Sequence, residues 1–125
     1  MDGSTKPTVL IVEDEAFIRM EAADVLADAG CVSLEAGDAE EALTVLEEHP
    51  EVRLLFTDIN MPGTMDGLVL AEHVVRTSPD VALIVTSGKQ RIADGDLPDH
   101  GMFLPKPYRG SDLVKAVQSQ LDARR

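Results

Sequence analysis

Basic residues are scarce in this chain. Eleven Lys and Arg stand against 23 Asp and Glu, for a formal net charge of −12. That excess repels nucleic-acid phosphates and argues against direct DNA or RNA binding. It suits a surface that collects cations or meets basic partners. Cysteine is all but missing: Cys31 stands alone, which excludes an intramolecular disulfide and fits a reducing cytoplasm. There is no Trp, and aromatics make up 3% of the chain, so the core must come from Val, Leu, Ile and Ala. No apolar run approaches the ~20 residues of a membrane-spanning helix, so no membrane insertion is expected. Met1–Pro7 is polar, unlike a secretory leader. At 125 residues and 44% hydrophobic, the chain has the size of one domain. It can bury roughly two-thirds of its unfolded surface without a structural metal.

What is present is a pattern of apolar runs that end in polar chemistry. Val9-Leu10-Ile11-Val12 leads into Glu13-Asp14, and Leu54-Leu55-Phe56-Thr57 into Asp58. Ala82-Leu83-Ile84-Val85 leads into Thr86-Ser87, and Gly101-Met102-Phe103-Leu104 leads through Pro105 to Lys106-Pro107. Runs rich in β-branched residues with no polar alternation read as strands buried on both faces. Strands are expected over Thr8–Glu13, Cys31–Ala36, Val52–Thr57, Val81–Thr86 and Gly101–Leu104.

Helical spacing fills the intervals. Ile18, Ala22, Val25, Leu26 and Ala29 share one stripe, with Asp14 as the expected cap and Gly30 as the stop. Asp38 with Glu41 resembles a capping box before Ala42, Leu43 and Leu46, and His49-Pro50 ends that helix. Leu70, Ala71, Val74 and Val75 define a helix over Gly67–Thr77. Ser111 is the expected cap of a last helix with Leu113, Val114, Val117 and Leu121 inward, and Arg124-Arg125 offsets its dipole. Between Gly88 and His100, Gly95, Pro98 and three Asp leave little apolar period, so a short, poorly formed helix or mobile loop is expected. The alternation implies an α/β fold on a parallel sheet. Residues 1–7 are expected to form a flexible tail and 8–123 one domain, with no output domain expected after the last helix.

In a parallel sheet the carboxyl ends of the strands share one edge, where ligands bind. Glu13, Asp14 and Asp58 would meet there. Three close carboxylates repel one another, and a bound Mg²⁺ (or Mn²⁺) relieves the conflict with hard oxygen ligands. Asp14 and Asp58 are expected as direct ligands, Glu13 through water, and the Asn60 backbone carbonyl as a further oxygen. Asp58 is the expected nucleophile, able to carry an aspartyl phosphate. Lys106, Thr86 and the Ser87 backbone N–H would hold the phosphoryl oxygens. The plainer alternative is strand-end acids that cap helices and face solvent, with Thr86 an ordinary strand residue and Lys106 a solvated one.

Together, Val9-Leu10-Ile11-Val12-Glu13-Asp14-Glu15, Asp58-Ile59-Asn60-Met61-Pro62, Met65-Asp66-Gly67, Thr86-Ser87-Gly88 and Lys106-Pro107 resemble a bacterial response regulator receiver domain of the stand-alone type. The resemblance implies a flavodoxin-like, doubly wound five-stranded sheet of order 2-1-3-4-5. It implies Mg²⁺-dependent phosphotransfer from a sensor histidine kinase, or a phosphotransfer protein, to Asp58. It implies a switch through Thr86 and Phe103 that alters a surface for a downstream protein target. On this resemblance the domain is a cytoplasmic monomer or weak dimer. It is not an enzyme beyond its own phosphotransfer and slow autodephosphorylation.

Three departures stand out: one extra residue in the Gly63-Thr64 loop, Ser87 where Ala is usual, and the weak Gly88–His100 stretch. A haloacid-dehalogenase-type phosphatase would want a second Asp where Asn60 stands. A flavodoxin would want hydroxyls and glycines where Glu13-Asp14-Glu15 stands. A docking module that is never phosphorylated is a third reading. His49, His73 and His100 are scattered and read as surface residues, Cys31 as a small buried strand residue, and Met61, Met65 and Met102 as having no redox role.

Overall fold

The computed structural model describes residues 6–123. The expectations for the first five residues of the tail and for Arg124-Arg125 lie outside them. Five strands form where the apolar runs stand, each end within one residue of expectation: β1 (Thr8–Val12), β2 (Val32–Ala36), β3 (Val52–Asp58), β4 (Ala82–Ser87) and β5 (Met102–Pro105). They pair in parallel in the order β2-β1-β3-β4-β5. Four α-helices connect or follow them: α1 (Ala16–Asp28), α2 (Ala39–Glu48), α3 (Gly67–Thr77) and α4 (Gly110–Ala123).

Every residue of β1 and β4 is buried, and all of β3 except Arg53. The alternation of side chains along a strand sorts them into two layers. Leu10, Val12, Leu55, Leu83 and Val85 face Ala39, Ala42, Leu70, Ala71 and Val74 of α2 and α3. Val9, Ile11, Leu54, Phe56 and Ile84 face Ala22, Leu26, Leu113 and Val117 of α1 and α4. This double cover explains why the central strands show no polar alternation.

The helix ends follow local chemistry, with two corrections. Asp38 accepts from the Glu41 N–H at 2.8 Å, and the Glu41 carboxylate reaches back to the Gly37 N–H at 2.6 Å, one residue earlier than a standard capping box. Gly30 ends the α1 region at φ +92°, a left-handed conformation that glycine adopts freely. Asp14 does not cap α1. Glu15 holds the cap position without a side-chain bond, and the Glu13 carboxylate takes the Glu15 N–H at 3.1 Å. Ser111 does not cap α4 either. It already lies inside the helix, and Asp112 accepts from the Arg109 N–H at 3.1 Å.

Between Gly88 and Gly101 there is no α-helix. Two short 3₁₀ turns, Asp94–Asp96 and Pro98–His100, take its place, and Asp99 and His100 lie at φ 53° and 59°. Leu97 is buried and Ile92 packs beside it, so the layer over β4 is closed without a helix. Gln120 fastens the turn: its buried Nε2 donates to the Leu83 carbonyl at 2.8 Å and the His100 carbonyl at 3.2 Å. Pro7, assigned to the tail, accepts from the Val32 N–H at 2.8 Å. Cys31 precedes β2 rather than lying in it and is only half-buried, which still pushes its thiol pKa up. No described helix is long and apolar enough to cross a membrane.

Gly67 sets how closely α3 approaches the end of β3. A Cβ there would stand 1.9 Å from the Asp58 carbonyl oxygen. Gly67→Ala should therefore destabilise the domain by about 2 kcal/mol or more through forced backbone displacement. Gly95→Ala, which meets nothing within 4 Å, should stay within about 0.5 kcal/mol. Urea unfolding of both variants checks the contrast.

Candidate functional site

The sheet order reverses between β1 and β3, and the crevice beyond those two strand ends is where an open α/β sheet binds its ligand. The chain leaves β1 with a last ladder bond, Glu13 N–H to the Ala36 carbonyl at 3.1 Å. Glu13 then turns its side chain inward and is 4% exposed, while Asp14 faces solvent. Arg19 steadies this corner, donating to the Glu13 carbonyl at 2.9 Å and to Glu35 at 3.0 Å. From β3 comes Asp58, 5% exposed, with Oδ1 accepting from the Asn60 N–H at 3.2 Å. From β5 comes Lys106, whose backbone N–H bonds the Ser87 carbonyl at 3.1 Å and extends the β4 ladder past Pro105.

These three strand ends meet at one nitrogen. Lys106 Nζ lies 2.7 Å from Glu13 Oε1 and 2.7 Å from Asp58 Oδ2. Glu13, Asp14 and Asp58 each offer a carboxylate oxygen within 4.8 Å of the others. One ammonium against three carboxylates leaves a negative excess, and every donor is a hard oxygen. The set fits a divalent cation of the Mg²⁺ type. Burial raises the Glu13 pKa. The Lys106 hydrogen bond and the Glu15 N–H oppose that rise, and the Asp58 charge adds to it. Burial pulls Lys106 down, but its bonds to Asp58 and Glu13 outweigh burial and hold its pKa above the ordinary lysine value.

Thr86 is in register with Asp58 across β3 and β4, and Leu104 is in register with Thr86 across β4 and β5. The Thr86 hydroxyl points away from Asp58 and donates to the Leu104 carbonyl at 2.5 Å. Phe103 is half-buried against the α3-side layer, its N–H bonded to the Asp94 carboxylate at 2.9 Å. The structure thus joins Glu13, Asp14, Asp58 and Lys106 directly. It sets Thr86 and Ser87 beside them, and it leaves Phe103 farther along β5. The histidines take no part: among the described residues the only group able to hold a metal is Glu13, Asp14 and Asp58.

Two contributors were not foreseen. The Ser87 side chain, rather than its backbone alone, bonds Asn60. Gly67 lets α3 touch the Asp58 backbone. The only local signal for Gly67 was Asp66 before it, a capping residue whose Oδ1 accepts from the Val69 N–H at 2.9 Å.

Residues 9–118 match the family model described as the response regulator receiver domain. The chain belongs to the response regulator receiver family. It is 37% identical over 125 residues to the sensor kinase CckA of Brucella abortus, spanning 97% of this chain but 13% of that protein. It is 34% identical to the transcriptional regulatory protein PdtaR of Mycobacterium tuberculosis, of which it spans 58%. With the receiver protein CpdR of Brucella abortus the identity is 32%, covering 92% of this chain and 97% of that protein. Among solved structures, a receiver protein from Sinorhizobium medicae superposes with TM-score 0.88 at 26% identity, over 98% of this chain and all of that one. The receiver domain of the hybrid kinase CckA superposes with TM-score 0.80 at 35% identity, over 91% and 98% of the two chains. As a receiver, the chain is a signalling domain rather than an enzyme of metabolism.

The raised Glu13 pKa has a defined sign. Between its ordinary value of 4.5 and its higher folded value, the folded state binds more protons than the unfolded state. Stability from this group therefore falls as pH rises through that window. In metal-free buffer, the melting-temperature difference between the wild type and Glu13→Gln should shift against the wild type as pH climbs above 4.5. A difference that stays flat with pH would contradict burial as the main cause that raises this pKa.

Proposed function

We infer that Asp58 is the phosphoacceptor of a two-component signalling pathway. One observation carries the reading: a buried carboxylate at the end of a central strand, hydrogen-bonded to an ammonium and within 4.8 Å of two further carboxylates. An Asp58 carboxylate oxygen attacks the phosphorus of a phosphohistidine on a sensor kinase or phosphotransfer protein. The P–N bond breaks as the aspartyl P–O bond forms, and the imidazole departs to be protonated by water. Later hydrolysis of the acyl phosphate returns the carboxylate and inorganic phosphate.

Mg²⁺, held by Glu13, Asp14, Asp58 and the Asn60 carbonyl, would neutralise charge on the transferring group. The burial of Glu13 and its 2.7 Å contact with Lys106 make it a charge-setting residue near the cation. Lys106 exchanges one carboxylate partner for a phosphoryl oxygen, which keeps its ammonium paired throughout. The Thr86 hydroxyl leaves the Leu104 carbonyl for another phosphoryl oxygen, and the Ser87 N–H serves a third. The phosphoryl group adds close to two negative charges, enough to bias these bonds without changing the fold.

Phe103 turns inward as Thr86 moves, and the surface of β4, β5 and α4 changes for a downstream protein target. Beside the crevice, Phe17 on α1 is 87% exposed and Met20 54% exposed. An apolar knob next to an acidic mouth suits a phosphodonor that carries apolar and basic groups. The unphosphorylated domain works in the cytoplasm as a monomer or weak dimer.

Incubation with acetyl phosphate and Mg²⁺, followed by intact mass measurement, tests the assignment. A single phosphoryl adduct should form, disappear in Asp58→Asn, and fail to form when the cation is chelated. Steady turnover of phosphate esters would point to a phosphatase instead. No adduct with any donor would leave a docking module.

A further inference from the structure

Ser87 is 1% exposed, and its hydroxyl makes three hydrogen bonds. It donates to Asn60 Oδ1 at 2.9 Å and accepts from the backbone N–H groups of Lys89 and Gln90 at 3.0 and 3.1 Å. The two accepted bonds are those of a helix N-cap, which takes N–H groups two and three residues on. No α-helix follows here. The capped turn is tied instead to Asn60, in the loop that carries Asp58 toward α3. A backbone bond joins the β3 exit to β4, Ile59 N–H to the Thr86 carbonyl at 2.9 Å. Beyond it, the Ser87 hydroxyl is the link between the loop after β3 and the turn after β4.

We propose that Ser87 is a positioning residue, a clasp that makes these two loops respond as one body. It rests on the reading of Asp58 and its cation given above. Asn60 offers its backbone carbonyl toward the cation and its side-chain amide to Ser87. A cation that fixes the carbonyl therefore also fixes the amide, and through Ser87 the N–H groups at 89 and 90. In the opposite direction, a shift of Thr86 toward a phosphoryl group carries Ser87 with it and pulls on Asn60. The coupling is reciprocal, so cation affinity and the conformation of residues 88–90 are linked. Alanine in place of Ser87 fits the same space and breaks the link.

Mg²⁺ titration followed by backbone amide NMR tests the clasp in the wild type, Ser87→Ala, Asn60→Ala and the double variant. Asn60→Ala keeps the backbone carbonyl. In the wild type the Lys89 and Gln90 amides should shift with the same saturation curve as the Asp14 and Asp58 amides. Each single variant should raise the Mg²⁺ Kd about fivefold, the size of one ordinary hydrogen bond, and silence the response at 89 and 90. The double variant should be no weaker than either single one, because both remove the same link. A role in packing alone would give additive losses and leave the 89–90 response intact in Asn60→Ala. That pattern, or an unchanged Kd in both single variants, overturns the clasp while the cation site stands. A wild type that binds no Mg²⁺ overturns the underlying reading as well.

Discussion

A single ammonium, Lys106 Nζ, stands between two buried carboxylates at 2.7 Å from each, and the arrangement of the crevice depends on it. A buried charge without a partner is costly, and breaking such a pair by removing one side typically costs 3–5 kcal/mol. Glu13 and Asp58 can therefore sit inside the fold only because the end of β5 delivers a cation to them. That delivery is a property of topology. Parallel strands in the order β2-β1-β3-β4-β5 put the ends of β1 and β3 side by side. The β4 ladder continues through Lys106 N–H to the Ser87 carbonyl, which fixes the stem of the lysine.

Buried ion pairs of this kind are weak devices for stability, since apolar residues of similar volume often serve a fold as well or better. Their value here is that the balance is incomplete. Three carboxylates share one ammonium, and the remainder favours a divalent cation. With the cation in place, a phosphoryl group can approach a carboxylate that would otherwise repel it. On the proposed phosphoacceptor role of Asp58, the same incompleteness would supply a switch. The Thr86 hydroxyl is held by the Leu104 carbonyl, a neutral acceptor. A phosphoryl oxygen is a charged acceptor, and charge-assisted bonds are about twice as strong as neutral ones.

Much of this was legible in the chain because it is local or periodic. Runs such as Ala82-Leu83-Ile84-Val85 mark buried strands, and the polar residue after each run marks the ligand edge once the sheet is taken as parallel. Gly95, Pro98 and the aspartates around them forecast the lost helix. The two misread caps fail because the helices begin elsewhere. Asp14 and Ser111 have the chemistry of caps, but Glu15 holds the cap position of α1 and Ser111 already lies inside α4. That Glu13, Asp58 and Lys106 gather at one edge followed from the parallel sheet, but which atoms bond there did not: Lys106 and Glu13 are 93 positions apart, and Ser87 and Asn60 are 27 apart. No periodicity carries such information. Nor does sequence show that the Glu13 side chain turns inward to the ammonium.

The central claim is that the crevice takes a cation because its carboxylates outnumber the one ammonium that serves them. Calorimetric titration of Mg²⁺ into the wild type and Lys106→Met tests it most directly. The Lys106 ammonium repels a cation at this site, and two like unit charges at about 4 Å in a medium of intermediate dielectric repel by several kcal/mol. The account therefore predicts that Lys106→Met binds Mg²⁺ more tightly than the wild type, by about tenfold or more. An affinity that is unchanged or weaker in Lys106→Met would contradict it.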